Sequence, residues 1–152
     1  MKSIAIAGSN QLCERLMYYF ESTGFGKTVG MFDDFESKGK IKYGQEILGK
    51  MEDIPALCGK GLFDAVAIAV GYKHRSFRKQ VYEDLKKNQV PLVTFIHPSS
   101  HVEKSAVIKE GSIILVDCTI DMDVHLHENV LVSSRCFLSH NVSIGIHTVG
   151  LP

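Results

Sequence analysis

From Val102 onward the chain divides into consecutive sixes without an insertion: VEKSAV, IKEGSI, ILVDCT, IDMDVH, LHENVL, VSSRCF, LSHNVS and IGIHTV. The first place of every six is aliphatic: Val102, Ile108, Ile114, Ile120, Leu126, Val132, Leu138 and Ile144. The fifth place is always small or β-branched: Ala106, Ser112, Cys118, Val124, Val130, Cys136, Val142 and Thr148. An α-helix repeats near 3.6 residues and a strand near 2, so a period of six fits neither. It is the pattern of a left-handed parallel β-helix, in which three hexads make one triangular coil. The aliphatic places stack inside, the small ones fit the corners, and each coil is stabilised by its neighbours. The hexads amount to fewer than three coils, and Gly150-Leu151-Pro152 carries no recognisable cap. The β-helix is therefore expected to be incomplete at the C-terminus, in a truncated form of a longer chain or with its open end covered by oligomerisation.

The residues before the repeat read differently. Ile4–Ala7 is a short apolar run of the buried-strand kind and stops at the turn-forming cluster Gly8-Ser9-Asn10. Leu12, Leu16, Tyr19 and Phe20 follow at helical spacing, with Gly24 placed to end the helix. Thr28–Phe32 reads as a second strand closing on Asp33-Asp34, and 64–70 as a third ending at Gly71. Phe77, Val81 and Leu85 mark another helix, and Pro91–Ile96 a last strand. Alternating strands and helices imply a small α/β, Rossmann-like parallel sheet over 1–97, with His97-Pro98 as the junction to the β-helix of 98–152.

In such sheets ligands sit at the carboxyl ends of strands, which here carry Gly8, Ser9 and Asn10, then Asp33 and Asp34, then Gly71 and Tyr72. Glycine admits a ligand close to the backbone, a helix N-terminus offers N–H groups to phosphate, and a carboxylate accepts from ribose or base. This set is nucleotide-shaped. The same spacing also suits glycines that only turn the chain and aspartates that only cap a loop. The segment lacks G-x-G-x-x-G, which argues against a dinucleotide such as NAD. Lys73, His74, Arg75 and Arg78 offer positive charge to a diphosphate or simply a solvated helix start.

Lys plus Arg and Asp plus Glu are equal at 17 each, so there is no broad basic field to gather nucleic acid. The N-terminus has one basic residue and a short apolar run, too brief for a signal-peptide core or a membrane span, and a cytoplasmic address follows. Cys13, Cys58, Cys118 and Cys136 show no C-x-x-C spacing and are expected to be reduced, buried and apolar in role.

With both halves in view, the chain resembles the sugar O- or N-acyltransferase family, which includes sialic acid O-acetyltransferases and bacterial N-acetyltransferases of nucleotide-linked 4-amino sugars. The resemblance runs from about residue 3 to the end. It rests on the Gly8 loop, Met31-Phe32-Asp33-Asp34-Phe35, Tyr43-Gly44 to Leu48-Gly49, and Ala67-Ile68-Ala69-Val70-Gly71. It continues through Ile96-His97-Pro98-Ser99, Ser139-His140-Asn141 and His147. The resemblance implies a homotrimer whose first domain binds a nucleotide-linked sugar through Gly8, Ser9, Asn10, Asp33, Asp34, Gly71 and Tyr72. It implies acetyl-CoA as co-substrate along the coil, near His147, and no metal. It implies His140 as general base with Asn141 beside it, and acetylation of a sugar amino group for surface glycan synthesis.

An imidazole suits that role because it titrates near neutrality. The third places of neighbouring hexads hold Met122, Glu128, Ser134 and Ile146, so the repeat itself does not ask for histidine at 140. A structural histidine is the alternative there, and a solvated corner is the alternative for His147. His125 and His127 flank Leu126 and suit exposed faces or a subunit contact; nothing is spaced to complete a metal site. Two departures from the family stand out. Relatives often follow the histidine with a carboxylate, where this chain has Asn141. Their N-terminal loop also tends to carry small residues and a histidine where this chain has Asn10-Gln11-Leu12-Cys13. Competing readings are O-acetylation of a sugar and a non-catalytic trimerising module that binds a nucleotide.

Overall fold

The computed structural model describes residues 1–151, with the side chain of Leu151 outside the description. The chain forms two compact units, one of residues 1–70 with 80–92 and the other of 71–79 with 93–152.

In the first unit, β1 (Lys2–Ala7) is followed by α1 (Gln11–Ser22) and β2 (Gly26–Phe32), a parallel pair joined by a helical crossover. Asn10 caps α1, and Cys13, Leu16 and Phe20 form its buried stripe. Phe20 then packs on Phe25 with ring centroids 5.3 Å apart, which turns the chain back into β2. A hairpin that the sequence pattern does not reveal follows: β3 (Ile41–Lys42) and β4 (Gln45–Gly49), antiparallel to each other, with β4 parallel to β2. The hairpin turns at Tyr43 and Gly44, with φ of 51° and 76°. A short α2 (Ile54–Gly59) leads to β5 (Ala65–Ile68), which pairs with the other side of β1. The sheet order is β3-β4-β2-β1-β5, so the strand order reverses beside β1. Ile4–Ala7 are fully buried, and β5 is buried throughout.

The helix α3 (Arg75–Lys87) has its first residues in the second unit and the remainder in the first. The expected strand 91–96 divides as well. Leu92 makes a single bridge to Val66, whereas β6 (Phe95–Ile96) pairs with β9 (Ile113–Ile114) of the repeat. The backbone N–H of His97 donates to Ile114 O at 2.9 Å, continuing that pairing. The last division between the compact units falls between Leu92 and Val93, and the stacking of the coils reaches back to residue 95.

The second unit is a three-sided parallel β-helix. Its strands are two-residue pieces: β7 (His101–Val102), β8 (Val107–Ile108), β9, β10 (Thr119–Ile120), β11 (His125–Leu126), β12 (Leu131–Val132), β13 (Phe137–Leu138) and β14 (Ser143–Ile144), with β15 (Val149–Leu151) last. They form three stacks, β7-β10-β13, β8-β11-β14 and β6-β9-β12-β15. Residues pair with the one eighteen positions on, as Thr119 with Phe137 and His125 with Ser143, until a register shift pairs Val132 with Leu151. The first-place residues Ile114, Ile120, Leu126 and Val132 are wholly buried, and fifth-place Cys118, Val124, Val130 and Cys136 fill the corners beside them.

The structure adds a rule at the fourth place. Asp117, Asp123, Asn129, Arg135, Asn141 and His147 all have φ between 56° and 64°. The backbone turns each corner in the left-handed region, which Asn and Asp tolerate best among residues with a side chain. Among the cysteines, Cys13, Cys118 and Cys136 are buried as expected, but Cys58 is only half-buried because it lies near the end of the short α2.

Candidate functional site

His140 projects from a third-place position and is solvent-exposed, as are Ser139 and Asn141. Ser139 Oγ lies 3.5 Å from its Nδ1. Asn141 is the left-handed corner of that hexad, and its backbone N–H donates to Met122 O at 3.1 Å. Corner geometry alone thus accounts for an Asx-type residue at 141.

His147 occupies the next corner, separated from His140 by β14. Its Nδ1 is 2.9 Å from Nδ2 of Asn129, a fully buried residue one coil below. Arg78 Nε donates to Asn129 O at 3.4 Å. Arg78 is itself fully buried, and desolvation pushes its pKa down to about 10. It is therefore a packing element of the β-helix unit and leaves the group of residues expected to meet a diphosphate. Gly71 and Tyr72 belong to the same unit, and Tyr72 lies beside the coil: a Cβ added at Gly150 would sit 3.4 Å from Tyr72 Cβ. Tyr72 to Phe77 line a cavity of about 480 Å³ that includes Lys73, His74 and Arg75. The His125 and His127 rings stack at 4.7 Å, and His127 Nε2 approaches Ser143 Oγ at 3.3 Å. Among the described residues no three His, Cys, Asp or Glu side chains gather as a metal site.

In the first unit, Gly8 (φ 117°) follows β1, and a Cβ there would come within 2.6 Å of Ala69 O. This close approach of two strand ends is why glycine is required. Ser9 Oγ donates to Asp33 Oδ2 at 2.5 Å, joining the ends of β1 and β2. The other Asp33 oxygen accepts from the backbone N–H groups of Phe35 and Glu36 at 2.7 and 3.2 Å. The Asn10 side chain is engaged in capping, accepting from Leu12 N and Cys13 N, and Asp34 accepts from Met51 N at 2.9 Å. Asp34 also lines a cavity of about 470 Å³ with Phe35, Lys38, Gly49 and Lys50. The loop contains a residue that sequence reasoning misses. Lys42, on β3, donates to Ser9 O at 2.7 Å, approaches Ser9 Oγ at 3.3 Å and lies 3.7 Å from Glu36. Only the unexpected hairpin brings it there, and its short strands IK and QEILG give no clear signal in the sequence. Cys13 sits just beneath, its thiol pushed up to about 12 by burial against the smaller opposing effect of Lys42.

Comparison with known proteins gives the fold a context. No protein-family model matches the sequence. Perosamine N-acetyltransferase (PerB) from Caulobacter crescentus, in complex with CoA and GDP-perosamine, superposes with a TM-score of 0.83 over 97% of this chain and 67% of its own, at 16% identity. The acetyltransferase domain of PglB from Neisseria gonorrhoeae, in complex with acetyl coenzyme A, gives 0.79 over 93% and 66% at 20% identity. The chain has the fold of the sugar N-acetyltransferases. A stretch of 48 residues is 50% identical to UDP-N-acetylbacillosamine N-acetyltransferase of Bacillus subtilis (strain 168), covering 32% of this chain and 21% of that protein. The match thus spans about a fifth of that relative's length, and the chain covers two thirds of the N-acetyltransferase structures. Among the described residues no helix is long and apolar enough to cross a membrane.

Proposed function

We propose that the chain is the nucleotide-sugar-binding and catalytic part of a cytoplasmic, acetyl-CoA-dependent N-acetyltransferase acting on a nucleotide-linked amino sugar for surface glycan synthesis. Its first unit is a Rossmann-like nucleotide-binding domain and its β-helix is left-handed and assembles as a homotrimer. The observation that carries the reading is His140. An exposed imidazole stands on a coil whose repeat does not call for it, in the fold of enzymes that bind acetyl-CoA or a nucleotide-linked amino sugar.

In this reaction the neutral sugar amine attacks the thioester carbonyl, and His140 takes the proton that the nitrogen loses. The C–S bond then breaks, and coenzyme A leaves as the thiol with a proton returned from the imidazolium. Ser139 Oγ stands beside this imidazole, 3.5 Å from Nδ1. Asn141, the left-handed corner next in sequence, stands with the base in the catalytic pair. Gly8, Ser9 and Asp33 hold the nucleotide end, with Asn10 and Asp34 shaping the loops around it. Gly71, Tyr72 and His147 serve the sugar and acetyl-CoA from the β-helix unit.

The test is thiol release from acetyl-CoA with UDP-, dTDP- and GDP-linked 4-amino sugars, each beside its 4-hydroxy counterpart. Release with an amino sugar alone is expected. Release with the hydroxy sugars instead would mean O-acetylation, and no release with nucleotide binding retained would leave a non-catalytic binding module.

A further inference from the structure

We infer that Lys42 is the residue through which this chain recognises the phosphoryl groups of its nucleotide ligand, a role that rests on the nucleotide-binding reading of the first unit. The loop 8–10 lies at the carboxyl ends of β1 and β2, next to the reversal of strand order, where ligands of open α/β sheets bind. The usual anion-binding groups there are the N–H groups opening the following helix. Here the amides of Leu12 and Cys13 are already taken by the Asn10 side chain. The Ser9 hydroxyl proton is taken by Asp33. Two of the amides that open the helix are thus committed, and Lys42 adds a cation whose Nζ lies 2.7 Å from Ser9 O of the loop backbone.

The lysine is held rather than loose. Its strand is clamped by the turn at Tyr43 and Gly44, by the pairing of Lys42 with Gln45, and by Gly39 N–H to Ile47 O at 2.8 Å, with Ile47 fully buried. A tyrosine at φ 51° is an unfavoured backbone state, maintained by the hairpin that aims Lys42 at Ser9. The ammonium has three protons, and Ser9 O and Oγ face it at 2.7 and 3.3 Å. Glu36 Oε1 lies 3.7 Å away, beyond hydrogen-bond distance, and a phosphoryl oxygen would take up the third proton from that side. Lys42 also offsets the carboxylate of Glu36, which would otherwise repel a diphosphate from the loop.

The experiment compares UDP, GDP and dTDP with uridine, guanosine and thymidine by calorimetry on the full chain, for the native sequence, Lys42→Met and Lys42→Arg. The native chain is expected to prefer one diphosphate over its nucleoside by tenfold or more. Lys42→Met loses about tenfold or more of the diphosphate affinity with nucleoside binding unchanged, and Lys42→Arg retains most of it. If Lys42→Met does not fold, the Nζ resonance of Lys42 in the native chain decides, since it must shift with the diphosphate and not with the nucleoside. Equal diphosphate affinity in Lys42→Met, or an unmoved resonance, overturns the role of Lys42 and leaves the nucleotide reading intact. Absence of binding by every nucleotide to the native chain overturns both.

Discussion

The two units hold their residues by different rules. In the β-helix, partners lie eighteen positions apart, and each place in the hexad faces the inside, a corner or the outside. In the first unit, the contacts that make the loop site join residues 24 and 33 apart with no period at all. A periodic unit announces its exceptions, so His140 stands out in the sequence itself. An aperiodic unit hides its site in chain crossings, so Lys42 does not.

If the periodic rule is correct, damage inside the coil is large and independent of the first unit. Leu126, a fully buried first-place residue, is predicted to cost about 2–5 kcal/mol on replacement by Ala, measured by urea denaturation. A loss below about 1 kcal/mol would mean that the coils do not pack as one core. In the first unit the corresponding large effect is alkaline. The buried Cys13 thiol has a folded-state pKa of about 12 against an ordinary 9, so its contribution to stability is full below pH 9 and is lost as the pH rises from 9 to 12. Cys13→Ala is expected to flatten the stability profile across that window, and Cys58 is expected to react with thiol reagents ahead of the other three cysteines.

Smaller effects sharpen the contrast. Asn10→Ala removes the cap of α1 and is predicted to cost about 1 kcal/mol, read by thermal unfolding. Arg135→Gly should stabilise by roughly 0.5 kcal/mol, because Arg135 is an exposed corner at φ 62°, where a side chain is a disadvantage. Destabilisation instead would show that the Arg135 side chain contributes contacts of its own, as the fourth-place pair Asn129 and His147 does.

Legibility in the sequence follows the same division. Aliphatic first places and small fifth places specify the three-sided coil, because burial at those places leaves little choice. The fourth-place preference for Asp and Asn is just as visible in the residues, but its meaning comes only with the left-handed backbone of the corners, and with it the structural reason for Asn141. Strand and helix positions in the first unit are largely readable from Ile4–Ala7, Leu16 and Phe20, and Ala65–Ile68. The hairpin 41–49 is not, since its short strands carry Lys42, Gln45 and Glu46 and lack an apolar run. The reach of the β-helix back to Phe95 is also hidden, because Phe95–Ile96 precedes the hexads and looks like any other buried strand. Asp33, Asp34 and Asn10 are found by residue type, but their partners, which decide what each can still do for a ligand, appear only in three dimensions.

The central claim is that the exposed imidazole at 140 moves a proton during acetyl transfer. Its most direct test is the rate of coenzyme A release from acetyl-CoA with the preferred nucleotide-linked amino sugar, in the native chain and in His140→Ala. The account predicts a loss in kcat of about 10²–10⁴-fold with nucleotide affinity unchanged. Turnover in His140→Ala equal to that of the native chain would contradict it.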